Sequence, residues 1–303
     1  MSAAARMGAG GAPLRAEHRM AAAAGPVVTL LVEAHLDARF WRMWAHRGCR
    51  PRVPGGDRRG RAAVRAELAA ALAQGLAFVA VVDADLDRLW GRTPAPGEVW
   101  TDAHDLEATL LRLPGLLQKV VRLHLPAGSA AAEALGDPGA LFGAGAFPGR
   151  LRALAVLEDL DARALPFKKD GKRGHAERYA RWDRCGAAGA LTGALAVDPA
   201  KLLDDLVAWH SQQALKPRLP ALRARVDATL PDADPAQLCN GHDLVGLLFA
   251  ALKAAGSAVA DADALTASLC LACERAALDR TGMAAGLRAW EAAHPGLRIF
   301  SDP

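Results

Sequence analysis

Two short runs constrain the fold more than anything else in the chain: PVVTLLVE, residues 26–33, and LAFVAVVD, residues 76–83. Each is a nearly unbroken apolar series rich in Val, Leu or Ala that ends on a carboxylate. A run this short, without alternation, suits a strand buried on both faces, as strands of a parallel sheet are. Between the two stand DARFWRMWAHRG (37–48), with Phe40, Trp41 and Trp44 at helical spacing, and the amphipathic GRAAVRAELAAALAQG (60–75). A short strand, CRPRV (49–53), separates those helices. The alternation predicts an α/β fold with a parallel sheet flanked by helices. GEVWT (97–101) is expected as a fourth strand, and DLEATLLRL (105–113) as the opening of a further helix.

Beyond about residue 125 the pattern changes. LPAGSAAAEALGDPGALFGAGAFPG (125–149) reads as loop with one helix, because Gly and Pro punctuate it throughout. After it come segments of helical period, among them PAKLLDDLVAWHSQQAL (199–215), HDLVGLLFAALKAAG (242–256) and ADALTASLCLACERAAL (262–278). The expected organisation is a disordered tail over 1–25, an α/β domain over 26–125, and a mainly helical region over 126–303 packed on it.

The 303 residues are 52% hydrophobic, enough for a sizeable core. Five scattered cysteines without an export signal suggest a reduced, cytoplasmic protein. Cys270 and Cys273 form a CxxC inside a helical pattern, with no second pair to complete a zinc site, and read as buried thiols. No apolar run reaches the length of a membrane span, so no membrane partner is expected. The net charge of +4 permits a polyanionic partner without requiring one.

The second apolar run continues into Asp83, Asp85 and Asp87, and the first ends at Glu33. Like charges this close repel and raise one another's pKa unless something compensates. In a parallel sheet the carboxyl ends of the strands gather functional residues. Glu33 and Asp83 meet there if their strands are neighbours, and Asp83 and Asp85 share a side if the backbone stays extended. Such oxygen donors suit Mg2+ or Mn2+. The competing explanation is that an Asp after a strand caps the next helix.

LLVEAHLDARFW, FVAVVDADLD, WTDAHDLEATLL and the distant CNGHDLVGLL together resemble the Toprim-like family called domain-of-unknown-function 4435. That resemblance implies a Toprim-like sheet and a metal-dependent nuclease of bacterial anti-phage defence, comparable to the nuclease effector of the PARIS system. By position it implies Glu33 as the catalytic Glu, Asp83 and Asp85 as the metal-binding pair and Asp87 as the further Asp. It also aligns Asp102, His104, Asp105 and Glu107 with one family block, and Asn240 to Asp243 with another. The family's usual Gly after the Glu is Ala34 here. Glu107 is taken as a further metal ligand, and Asp37, His104, Asp105 and His242 as supporting residues behind the ligands.

Two basic clusters offer phosphate contacts. Residues 42–65 hold eight arginines against one acid, Asp57, and from these Arg59 and Arg61 are chosen. Residues 168–181 supply Lys168, Lys169, Lys172 and Arg173. The function expected is a Mg-dependent phosphodiesterase acting on RNA, such as tRNA, or on DNA. No nucleotide-hydrolysis motif is present, so any ATPase is a separately encoded partner, and a homodimer is compatible with the sequence. The alternative is a non-catalytic nucleic-acid-binding or regulatory module of the same fold.

Overall fold

The computed structural model describes residues 12–55, 60–157, 191–192, 195–209 and 219–302. They divide into two compact units. The first comprises the described residues of Met1–Ala84, Gly91–Leu106 and Cys273–Pro303; the second comprises Asp85–Trp90 and those of Glu107–Ala272. The division expected near residue 125 is not the observed one: the last 31 residues of the chain belong to the first unit and not to the helical one.

The first unit is built on four strands, β1 (Val28–Leu31), β2 (Cys49–Arg52), β3 (Phe78–Val82) and β4 (Glu98–Trp100). Their order is β2-β1-β3-β4 and every pairing is parallel. The α/β architecture read from the two apolar runs is therefore present, with β1 and β3 as the buried central strands. Helix α1 (Ala12–Ala22) precedes the sheet, α2 (His35–Trp44) links β1 to β2, and α3 (Arg61–Leu72) links β2 to β3. On one face, Leu31, Phe78, Ala80, Val82 and Trp100 pack with Val64, Leu68 and Ala71 of α3.

Residues 12–22 were expected to belong to a disordered tail and instead form α1. Among the contacts that hold it, Leu14 packs on the core, Arg15 pairs with the buried Glu67 at 2.7 Å, and His18 meets Thr29 Oγ1 at 3.0 Å. The tail's Ala/Gly-rich composition concealed an amphipathic stripe.

Helix α2 stops at Trp44 because Ala45 turns extended and bridges Phe300, while His46 N–H donates to the Ile299 carbonyl. The end of the chain is thereby fastened to the sheet unit. Phe300 also lies under the guanidinium groups of Arg275 and Arg288, at 4.8 and 4.9 Å.

The second unit is mainly helical, as expected. It contains α4 (Leu106–Arg112, entering from the first unit), α5 (Leu116–His124), α6 (Ala130–Leu135) and α7 (Pro138–Leu157). A two-stranded β5 (Leu191–Thr192) and β6 (Ala196–Val197) follows, then α8 (Pro199–Trp209), α9 (Leu219–Ala228), α10 (Pro235–Leu238), α11 (Gly241–Ala254) and α12 (Ala262–Ala272). Two short further helices, α13 (Arg275–Leu278) and α14 (Gly282–Ala293), return to the sheet unit.

The Gly/Pro-rich stretch read mostly as loop is helical, as α6 and α7. Its glycines serve close packing instead of breaking the helix. A Cβ at Gly145 would lie 2.5 Å from Leu244 Cδ2, and one at Gly149 would lie 2.7 Å from the Leu238 carbonyl oxygen. The expected single helix over 262–278 ends at Ala272 and resumes at Arg275. Cys270 and Cys273 are both buried, as are Cys49 and Cys239, and none of the four forms a disulfide among the described residues. Burial, with Glu291 nearby, pushes the Cys49 thiol up to about 12. No helix among the described residues is long and apolar enough to cross a membrane.

Candidate active site

The strand order reverses direction between β1 and β3: from β1 the chain moves outward to β2, then returns to the other side of β1. In open parallel sheets the crevice outside the carboxyl ends at such a reversal is where ligands bind. Glu33 lies two residues beyond the end of β1, and Asp83 directly follows β3. The Asp83 backbone N–H donates to Glu33 Oε1 at 3.0 Å. This bond ties the two strand ends together and orients the Glu33 carboxylate at the reversal point. Both residues are half-buried, so they are shielded but within reach of solvent.

Gly60 stands beside them. A Cβ there would be 3.7 Å from Glu33 Oε2, in ordinary contact, so space does not demand glycine. Its backbone does: φ 80° and ψ −171° lie in a region essentially confined to glycine. Gly60 caps α3, and its carbonyl accepts the Ala63 and Val64 N–H groups. The amino end of α3 is thereby brought close to Glu33, where the helix field favours negative charge. The sequence reading passed over Gly60; its signal was a glycine immediately before a strong helical pattern.

Ala34, directly after Glu33, is extended at φ −130° and ψ 162°, a conformation any residue adopts. Its N–H donates to Asp37 Oδ2 at 2.9 Å. Asp37, expected as a supporting residue of the site, thus closes the first turn of α2 as a cap. Asp102, grouped with the acids opening the next helix, caps a helix 180 residues later. It accepts the N–H groups of Gly282 and Met283 at the start of α14. Thr101, which had not been singled out, accepts the Ala84 N–H at 2.9 Å and donates to the Ala103 carbonyl, fixing the turn after Asp83.

The remaining predicted site residues divide between the two units. At Asp85 the backbone turns left-handed, with φ 48°, so the extended geometry that would align it with Asp83 is lost. Asp85 is exposed and Asp87 buried, and both belong to the helical unit. His104 and Asp105 are buried in the sheet unit. Glu107 is buried in the helical unit, with His242 Nδ1 3.6 Å away. Residues 240–243 do structural work there: Asn240 caps α11, and Asp243 takes a bidentate grip from Arg152 at 2.7 and 2.8 Å.

The basic expectations also divide. Arg61 lies over the Trp100 ring, 5.3 Å from its centre, in the first turn of α3. Arg65 forms a bidentate pair with Glu98, at 2.7 and 3.0 Å. Arg59, Lys168, Lys169, Lys172 and Arg173 lie outside the described residues.

The donors at the β1–β3 reversal are two carboxylates, Glu33 and Asp83. A hard cation that keeps most of its waters, as Mg2+ does, is commonly held by one or two carboxylates plus substrate oxygens, and this pair fits that mode. Among the described residues no group of three or more His, Cys, Asp or Glu gathers to hold a metal. Within the sheet unit, the expected metal ligands that meet at the strand reversal are Glu33 and Asp83, and Asp85, Asp87 and Glu107 belong to the helical unit. Searches against family models, curated proteins and solved structures found no match to this chain.

Proposed function

We propose that the chain is a divalent-cation-dependent phosphodiesterase, a nuclease acting on RNA such as tRNA or on DNA, with Glu33 and Asp83 as its working acids. The observation that carries this reading is the 3.0 Å bond from the Asp83 N–H to Glu33 Oε1 across the β1–β3 reversal. It makes neighbours of two carboxylates at the place where this sheet topology accepts ligands. Glu33 and Asp83 would hold Mg2+ or Mn2+, which would neutralise charge on a phosphate and acidify a water. Glu33, which accepts the Asp83 N–H, would take the proton of the attacking water. A new P–O bond forms on the water oxygen, the scissile P–O bond breaks, and the leaving oxygen is protonated from solvent. Arg61, near the mouth of α3, is suited to hold flanking phosphate. The role in anti-phage defence, and control by a separately encoded ATPase, rest on the motif resemblance.

The test is cleavage of mixed RNA and DNA by purified protein with Mg2+ or Mn2+. Wild type should cut, and Glu33→Gln and Asp83→Asn should each lose about 10²–10⁴-fold in rate. Equal cutting by Glu33→Gln would sink the assignment. A second reading, a non-catalytic nucleic-acid-binding or regulatory module, is favoured by the lack of a three-donor group among the described residues. Calorimetric titration separates the two: millimolar or tighter Mg2+ binding lost in Asp83→Asn supports the enzyme, and its absence in wild type supports the module.

A further inference from the structure

The opposite edge of the sheet carries different chemistry. Two adjoining hollows share Gly25, Pro26 and Val27, the residues that lead into β1. The first, about 540 Å³, lies toward β3 and is lined by His18, Arg19, Gly75 and Leu297 among others. The second, about 420 Å³, lies toward β2 and is lined by His46, Arg47, Gly48, Arg50, Gly296 and Arg298. No Asp or Glu lines either hollow. Glycines line both, so backbone forms much of the floor and a ligand can approach closely.

The arginines are only partly compensated. Arg47 makes no ion pair among the described residues. Arg19 donates to the neutral Gln74. Arg50 is 3.5 Å from Glu17, whose nearer partner is Arg52 at 2.5 Å. Arg298 pairs with Asp302, but both side chains are more than half exposed, and such a pair is weak enough for a phosphate to displace. Helix ends account for one of the four: Arg19 sits in the last turn of α1, where a cation complements the helix field. Arg47 lies three residues past the end of α2 and Arg298 five past the end of α14, and that field fades within the last turn.

We infer that the amino-terminal edge of the sheet, from Arg19 across to Arg298, binds the phosphate backbone of a nucleic-acid strand. The charge is spread along two open, adjoining hollows, which suits a chain of phosphates better than a single enclosed anion. By strand rise this surface stands about 20 Å from Glu33, so it is separate from the proposed cleavage site. It draws on none of the carboxylates of that site.

The test is binding, not turnover. A 5′-labelled 12-nucleotide single-stranded RNA is titrated by fluorescence anisotropy in EDTA, over a series of salt concentrations. Arg47→Ala/Arg298→Ala should lower the slope of log K against log salt by about 1.4, which is about 25-fold in affinity at 0.1 M salt. Arg122→Ala/Arg280→Ala, which removes equal charge from exposed positions outside the hollows, should leave the slope unchanged. An unchanged slope in the first variant, or an equal fall in the second, overturns the inference. So does sedimentation with phosphatidylserine vesicles that depends on Arg47 and Arg298 while RNA binding does not. With divalent cations absent, the result stands apart from whether Glu33 and Asp83 cleave anything.

Discussion

The two edges of the parallel sheet carry opposite charge. Past the carboxyl ends of the strands lie Glu33, Asp83 and Asp102. Around the amino ends lie Arg19, Arg47, Arg50 and Arg298. The fold itself supplies part of that sorting. Helices α1, α2 and α3 each end just before a strand begins, so their negative ends collect at the amino edge. Helix α14 starts at Asp102 and places its positive end at the carboxyl edge. Acids and bases are therefore favoured where they are found before any ligand is considered. The comparison teaches that charge sign alone does not identify a site. What distinguishes Glu33 and Asp83 is the bond that joins two strand ends, and what distinguishes Arg47 and Arg298 is their position beyond the reach of a helix end.

The largest effect should come from crossing the two edges. Asp83→Asn is expected to lower turnover about 10²–10⁴-fold and to leave RNA binding in EDTA within twofold of wild type. Arg47→Ala/Arg298→Ala should do the reverse in kind, weakening binding about 25-fold at 0.1 M salt while single-turnover cleavage at saturating protein changes little. Rate and anisotropy measured on the same preparations decide it. If Asp83→Asn also abolishes binding, the edges are not independent and the contrast fails.

Glu98 tests the contrast from another side, because it is an acid buried within the sheet, away from the β1–β3 reversal. It opens β4, level with Ala80, and its side chain is 1% exposed. Burial pushes its carboxyl up, but hydrogen bonds from Arg65, the Ala95 N–H and the Trp100 indole outweigh burial and hold it below the ordinary value. A depressed folded-state pKa contributes stability above the unfolded carboxylate value and loses it as pH falls through the folded value. Arg65→Ala should cost about 2–3 kcal/mol at pH 7, less than a fully buried pair because the Arg65 side chain is 41% exposed. Urea melts from pH 7 down to pH 3 should show wild type losing this contribution at the acid end and the variant already lacking it. Coincident profiles would mean that Arg65 is not what keeps Glu98 charged.

Much of this could be read from the sequence, and the failures have identifiable causes. The apolar runs at 26–33 and 76–83 gave β1 and β3, because burial on both faces leaves a compositional mark. The pairing of Glu33 with Asp83 was legible for the same reason: both acids end buried strands. Asp85 was misplaced because a left-handed turn at a single Asp leaves no trace in a DxD pattern. Asp102 caps a helix that lies far along the chain, and local sequence says nothing of that. Residues 12–22 and most of 130–149 were missed because Ala and Gly signal flexibility in isolation and close packing in context, as at Gly145 and Gly149.

Gly60 offers a smaller effect that bears on Glu33 directly. Gly60→Ala places a Cβ in a backbone region that alanine avoids, and about 1–3 kcal/mol of stability should be lost. Since the Cβ would meet Glu33 Oε2 at an ordinary 3.7 Å, any surviving folded protein should keep its metal affinity. A drop in affinity without a drop in melting temperature would show instead that the amino end of α3 belongs to the site.

The smallest expected effect is the sharpest control on the carboxyl edge. Asp102 shares that edge with Glu33 and Asp83, yet its oxygens are spent on two backbone N–H groups of α14. Thr281 independently caps the same helix through the Ala284 N–H, so removing Asp102 leaves one cap in place. Asp102→Ala should therefore cost about 1 kcal/mol in a urea melt. It should leave both cleavage and RNA binding unaltered, whereas Asp102→Asn, which still offers one oxygen, should cost less. If instead Asp102→Ala stops cleavage in protein that remains folded, then every acid at this edge serves the chemistry, and the bond between Asp83 and Glu33 loses its standing as the mark of the site.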